Sequence, residues 1–170
     1  MFRRARENGP ALLVPLAWTF VTAVHLDLAS EHALLIAHLV MATIIAGFTL
    51  LSWGEMTEGV LLLWRRVLLV GFLITLAGIV GFAVDSLAAL LFTASLIGWM
   101  IVPGVALVAT GRQVQLAPRP YVIGGVLSLA GAAVYAAGPL IGGGVWLSVF
   151  CLTLVNIGQT AGIVNAVHRY

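Results

Sequence analysis

Charge is what this sequence lacks most. Of its 170 residues, only 8% are Asp, Glu, Lys or Arg, and lysine does not occur at all. A soluble domain carries about a quarter charged residues, so this chain has too few to cover a surface that faces water. Hydrophobic residues make up 62% of the sequence. The composition therefore excludes an ordinary soluble protein and predicts one that is embedded in a lipid bilayer.

Cysteine and basic clusters are also scarce, and their scarcity excludes further classes. The one cysteine, Cys151, can form neither an intrachain disulfide nor a paired-cysteine metal or redox motif. The arginines form no basic patch interleaved with aromatic residues, so we expect no nucleic-acid partner. No phosphate-binding loop, hydrolase elbow, zinc-protease helix or lipidation box is present. The motifs therefore leave it uncertain whether the chain is an enzyme.

Long apolar runs are what the sequence has in abundance. Six of them lie near the ~20 residues that a helix needs to cross a hydrocarbon core of about 30 Å. They are continuous rather than alternating, which favours helices over a β-barrel. The predicted helices cover Ala11–Asp27, His32–Trp53, Leu61–Val84, Ser86–Thr110, Tyr121–Ala137 and Val145–Val167. We predict an all-α integral membrane protein, a six-transmembrane-helix bundle with short loops, forming a single domain over residues 1–170.

The distribution of arginine predicts how the chain is oriented. If the N-terminus is cytoplasmic, all eight arginines fall on the cytoplasmic side, and the outer turns carry only the acids Asp27, Glu31 and Asp85. The arginines are Arg3, Arg4, Arg6, Arg65, Arg66, Arg112, Arg119 and Arg169. Because positive charge is enriched on the cytoplasmic side of membrane proteins, we predict that both termini are cytoplasmic. The expected location is the cell (inner) membrane, with several passes through the bilayer.

The sequence shows a weak internal similarity between helices, called the echo, of the kind that a duplicated hairpin produces. In helix 3, Gly71 is followed by the run Thr75–Gly78, and in helix 5 Gly124 is followed by Ser128–Gly131, at a constant offset of 53. Helices 2 and 4 match at an offset of 57, and helix 6 joins more weakly. The echo indicates either a repeat of helices 2–3 in helices 4–5 or the general similarity of helices rich in Leu, Ala and Gly.

Histidine provides the leading functional hypothesis. Ionisable side chains are costly inside a bilayer and are therefore functional candidates, yet no Asp, Glu or Arg lies in the middle of a span. His38 lies about two turns from the outer end of helix 2, and His25 lies near the outer end of helix 1. Neutral imidazole is a haem ligand, so we predict a b-type haem in the outer half of the bundle, ligated by His38 and His25. Its role would be electron transfer, gas sensing or haem handling. The proposed pocket would use space at Gly98 and Gly104, with Trp18, Trp99 and Phe20 as walls.

The same histidines allow two other interpretations. His25, His32 and His38 could form a metal site, joined by Asp27 or Glu31, because imidazole is the commonest transition-metal ligand. Alternatively, His25 and His32 are solvated residues at the membrane interface, and His38 bonds to a neighbouring helix. His168 lies at the opposite end of the bundle, and we assign it no role.

Polar residues in helix 6 support different classes of function. Asn156 and Thr160 lie on one stripe with Thr153, Gln159 lies beside it, and the repeat places Ser95 of helix 4 opposite His38. These side chains could line the path of a cofactor-free transporter or channel for a small neutral solute, or they could join helices. The glycine pair Gly158 and Gly162 is a small-residue packing motif that would serve the monomer or a homo-oligomer. A third hypothesis is an accessory subunit of a larger membrane complex.

Overall fold

Six α-helices account for nearly all of the fold. The computed structural model describes residues 2–169, with side chains from residue 11 to residue 168. The helices are α1 (Phe2–His25), α2 (Glu31–Ser52), α3 (Gly59–Gly81), α4 (Ala88–Gln113), α5 (Pro118–Ala137) and α6 (Val145–Arg169). Two short 3₁₀ turns, Asp85–Leu87 and Gly138–Ile141, lie before α4 and after α5, and no strand occurs in residues 2–169. The prediction of an all-α fold with six helices is confirmed.

Five of the helices are long and apolar enough to cross a membrane. They are α2, α3, α4 with its preceding turn, α5 with its following turn, and α6. In α1 the apolar part is the shorter stretch Ala11–His25, but the helix begins at Phe2, nine residues earlier than predicted. This early segment contains the good helix formers Arg, Ala and Glu, but also Gly9 and Pro10, which disfavour the interior of a helix. The chain is therefore a multi-pass membrane protein whose apolar helices contact the lipid bilayer.

Four of the eight arginines lie near the ends of the chain. The side chains of Arg3, Arg4, Arg6 and Arg169 lie outside the described side chains, as does Tyr170. The cytoplasmic location of both termini therefore stays a prediction from the sequence.

The helices group into two compact units. The central unit comprises residues 30–102, which include α2, α3 and the first part of α4. The terminal unit comprises residues up to 29 and from 103 onward, which include α1, the rest of α4, α5 and α6. The division falls within α4 at Pro103, a residue that cannot donate a helical hydrogen bond.

The terminal unit is held together by close contact between glycines. A Cβ atom on Gly124 of α5 would collide with the carbonyl oxygen of Gly158 of α6, and a Cβ atom on Gly158 would collide with that of Gly124. Further along α5, a Cβ atom on Gly131 would lie 2.8 Å from the carbonyl oxygen of Cys151. Gly162 packs against the side chain of Leu107. The small-residue motif of Gly158 and Gly162 therefore packs helices within the chain.

The central unit also has close contacts at glycines, which lie in α3. A Cβ atom on Gly71 would lie 2.6 Å from the indole ring of Trp99, and one on Gly81 would lie 2.8 Å from the ring of Phe92. Gly71 of this unit and Gly124 of the terminal unit are the pair that the sequence echo aligns. Both aligned glycines are sites of close contact, but Gly71 meets the side chain of Trp99 whereas Gly124 meets the backbone of Gly158.

Candidate functional site

His38 and Ser95 lie together in the central unit, against Gly78 of α3. The Nδ1 atom of His38 lies 2.9 Å from the carbonyl oxygen of Leu34. Because a carbonyl only accepts, Nδ1 carries the proton and Nε2 carries the lone pair. A Cβ atom on Gly78 would lie 2.5 Å from Nε2 of His38 and 3.0 Å from Oγ of Ser95. The imidazole also makes an edge contact with Phe82, with ring centroids 5.8 Å apart. These contacts place the imidazole between α2 and α3.

A second polar contact in the central unit joins α3 to α4. The indole Nε1 of Trp99 donates to Oγ1 of Thr75 over 3.1 Å, and Thr75 donates in turn to the carbonyl oxygen of Gly71 over 2.9 Å. Thr75 is buried. Sequence reasoning assigned Trp99 to the wall of a haem pocket and missed its bond to Thr75. The echo aligns Thr75 with Ser128, a small polar residue that also accepts an interhelical hydrogen bond, but it does not identify Trp99 as the donor.

His25 is engaged at both ring nitrogens in the terminal unit. Its Nδ1 lies 2.9 Å from the carbonyl oxygen of Val21, and its Nε2 lies 2.8 Å from the hydroxyl of Tyr135. The carbonyl fixes the proton on Nδ1, so the Tyr135 hydroxyl donates to Nε2. The two rings meet edge to face, with centroids 5.8 Å apart. His25 can therefore ligate a metal through Nε2 only by giving up its bond to Tyr135, a partner that sequence reasoning did not find.

The prediction of a metal site at His25, His32 and His38 gains no support. Across the described residues, no three His, Cys, Asp or Glu side chains come together as a group that could hold a metal ion. His32 is exposed in the first turn of α2. His168 is also exposed, and its Nδ1 bonds to the carbonyl oxygen of Val164 at 2.9 Å.

The expectation that two glycines open space for a macrocycle is wrong. A Cβ atom on Gly98 would lie 2.9 Å from the side chain of Ile74, and one on Gly104 would lie 3.2 Å from those of Ser128 and Leu129. Neighbouring side chains therefore fill the room that the absence of a Cβ leaves at both positions.

Gln159 lies at the centre of a buried hydrogen-bond chain in the terminal unit. Its Oε1 accepts from Nε1 of Trp18 at 2.9 Å, and its Nε2 donates to Oγ of Ser128 at 2.9 Å. All three residues are buried, with Gln159 only 2% exposed. Both ends of its amide therefore join α6 to other helices, one to α1 and the other to α5. This arrangement supports helix packing, one of the two roles that the sequence left open for Gln159.

Asn156 differs from Gln159 because it lies at the surface of its unit. Its Oδ1 accepts from Oγ1 of Thr160 at 3.1 Å, and its Nδ2 donates to Oγ1 of Thr19 at 3.5 Å, the outer limit for such a bond. Thr19 donates onward to the carbonyl oxygen of Pro15. Asn156 is half-buried and is the twelfth residue of the 25-residue α6, close to the middle of the span.

The surface around Asn156 is otherwise apolar or weakly polar. Phe150 is 55% exposed and Ile157 is 56% exposed. Thr153 is exposed, but its hydroxyl donates to the carbonyl oxygen of Val149 in its own helix. We call this surface the Asn156 face, and it consists of Thr19, Phe150, Thr153, Asn156, Ile157 and Thr160.

An open groove of about 600 Å³ lies on the central unit between α2 and α3. Its lining residues are Leu39, Ala42, Thr43, Ala46, Gly47, Phe72, Leu76 and Ile79. The hydroxyl of Thr43 is bonded to the carbonyl oxygen of Leu39 in its own helix. The groove is therefore an apolar surface that offers no polar group to orient a ligand.

Taken together, the fold and these polar contacts define a helical, multi-pass membrane protein in which several intramembrane polar side chains bond to neighbouring helices of the same unit. No family model, curated protein or solved structure that was compared with the chain matches it.

Proposed function

We propose that the chain is an interaction subunit of a membrane assembly, and that it binds its partner through the Asn156 face. The observation that supports this proposal is the position of the Asn156 amide, which lies near mid-span and is only half-buried. By contrast, the other amide in the middle of α6, Gln159, is enclosed and bonded at both ends.

The hydrogen-bonding capacity of the Asn156 amide is only partly used within the chain. A side-chain amide has two N–H donors and an oxygen with two lone pairs. Asn156 has one partner on its nitrogen and one on its oxygen, which leaves one N–H and one lone pair unused. Hydrocarbon offers neither a donor nor an acceptor, so leaving these two groups unused is costly at this depth. A polar side chain on a partner helix would satisfy both groups.

The transport hypothesis has less support. It requires Asn156, Gln159 and Thr160 to face a solute. Gln159 instead bonds to Trp18 and Ser128, and Thr160 bonds to Asn156, so only Asn156 keeps unused groups. A side chain with these bonds offers little to a passing solute.

The experiment compares the native size of the protein with and without the Asn156 amide. Tagged protein is extracted from its own membrane in a mild detergent, and its mass is measured by light scattering corrected for detergent. We expect an assembly larger than the 17.9 kDa chain, and we expect Asn156→Leu to dissociate it. Thr153→Val is the matched control, because it removes a hydroxyl from the same face that already bonds within its own helix. A monomer in the unsubstituted protein, or an assembly that Asn156→Leu leaves intact, would contradict the proposal.

A second candidate function is haem binding at His38, which one observation favours. The bond from Nδ1 to Leu34 leaves the lone pair of Nε2 for a ligand. In metal-ligating histidines, a hydrogen bond from the other ring nitrogen commonly fixes the tautomer in this way. Haem at this position would require α2 to separate from Gly78 of α3, which now lies against Nε2. His25, the other predicted axial ligand, belongs to the terminal unit, where its Nε2 is bonded to Tyr135.

The absorption spectrum tests this second candidate. Protein purified from haem-sufficient cells is measured oxidised and then reduced with dithionite. A Soret band that His38→Ala removes would support haem binding, with His32→Ala as the control because His32 is exposed. A spectrum with no band above the protein absorption would rule this function out.

A further inference from the structure

We infer that the partner on the Asn156 face is a second copy of this chain, joined by reciprocal hydrogen bonds between the two Asn156 amides. This inference rests on the proposed function and names the partner. The copies would be related by a twofold axis along the membrane normal, so that the same face of each chain contacts the other.

Depth in the membrane is the first reason to choose a second copy. Copies inserted in one membrane share an orientation, and rotation about the membrane normal leaves every residue at its own depth. The partner's Asn156 therefore lies at the depth of Asn156 without any further condition. An unrelated partner would need a polar side chain of its own at that same depth.

Chemical complementarity is the second reason. The unused groups on Asn156 are one N–H and one lone pair on Oδ1. A second amide offers the same two groups, so the Nδ2 of each copy can donate to the Oδ1 of the other, and both are then satisfied. Pairing of this kind sets the register between two helices and limits the assembly to a defined size, as buried Asn does in coiled coils.

The surroundings of the amide are the third reason. No charged residue occurs in α6 between Val145 and Val167, so two copies can approach without repulsion between like charges. Thr153 and Ala161 are small and exposed on the side of α6 that also carries the exposed Ile157. Small residues allow the backbones of two membrane helices to approach closely. The glycines of this helix, Gly158 and Gly162, are already occupied by contacts within the chain.

Disulfide cross-linking between copies tests the inference directly. In a Cys151→Ala background, Thr153→Cys is oxidised in native membranes, and the product is measured by electrophoresis without reductant. We expect a band at twice the 17.9 kDa mass of the chain. The control is Leu73→Cys, which is 65% exposed on α3 of the central unit and should yield far less of the cross-linked product.

The contribution of the amide is measured by diluting the protein in vesicles. One sample of the protein carries a donor dye and another an acceptor dye, and energy transfer between them is measured as the lipid-to-protein ratio rises. Asn156→Leu should weaken dimerisation about tenfold, since it removes two hydrogen bonds of the strength typical of membrane helices. Asn156→Gln keeps an amide at this position and should restore part of the affinity.

The possible results separate the two proposals. If Thr153→Cys gives no dimer, while an assembly with a different chain still depends on Asn156, the second-copy inference is overturned and the proposed function stands. If no association depends on Asn156, both are overturned. A dimer that Asn156→Leu does not weaken would also overturn the inference, because contact would then occur without the amide.

Discussion

Replacing Gln159 with leucine should destabilise the terminal unit by about 1–3 kcal/mol, because two interhelical hydrogen bonds are lost. Gln159 is 2% exposed and bonds to Trp18 and to Ser128, each over 2.9 Å. Interhelical bonds in membranes contribute about 0.6 kcal/mol on average and up to about 1.7 kcal/mol, which sets the range for two of them. Leucine has a similar volume, so the loss should reflect the missing bonds rather than a cavity.

Reversible unfolding in mixed detergent provides the assay. The fraction of unfolded protein is followed by circular dichroism as the proportion of denaturing detergent rises, for the unsubstituted protein, Gln159→Leu, Trp18→Phe and the double variant. We expect a coupling energy of about 0.5–1.5 kcal/mol between Trp18 and Gln159, because they are direct partners. Thr153→Val is the control and should unfold like the unsubstituted protein. Equal stability of Gln159→Leu and the control, or a coupling of zero, would refute the assignment of Gln159 to helix packing.

Two further predictions concern packing and orientation. Gly124→Ala should destabilise the protein by about 1–3 kcal/mol, since its methyl group would collide with the backbone of α6. Gly47→Ala should be neutral or slightly stabilising, because nothing lies within 4 Å of its Cβ position; equal unfolding midpoints for the two variants would argue against the close contact. Orientation is tested in a Cys151→Ala background with the exposed positions Ser86→Cys and Gln115→Cys. A membrane-impermeant maleimide added to intact cells should label only Ser86→Cys, and labelling of Gln115→Cys alone would reverse the predicted orientation.

The helices could be predicted from the sequence because length and apolarity are local properties. The six apolar runs correspond to six helices, and the errors concern their ends, as in α1, which begins at Phe2 rather than at Ala11. In α4 the helix continues to Gln113, beyond the predicted end at Thr110. Gly9 and Pro10 precede the predicted start and Gly111 follows the predicted end, yet both helices continue through these residues, which more often mark a boundary.

The pairing of polar side chains could not be predicted in the same way. His25 and Tyr135 are 110 residues apart, and their contact depends on how α1 and α5 are rotated about their axes. The choice between Asn156 and Gln159 illustrates the same difficulty. The two amides are three residues apart in α6, yet one is enclosed and the other lies at the surface. Gly98 and Gly104 did not indicate a pocket, because larger neighbouring side chains fill the space beside them.

The composition of the terminal unit has a consequence for how the chain is made. This unit combines the two ends of the sequence, and its bond between Trp18 and Gln159 joins residues 141 positions apart. At a synthesis rate of roughly 5–20 residues per second, Gln159 emerges on the order of ten seconds after Trp18. During that delay α1 exists without its partner α6, so the indole N–H of Trp18 lacks the acceptor that it has in the folded chain. Of the two helices that this bond joins, α1 is therefore made first but gains this contact only when α6 follows.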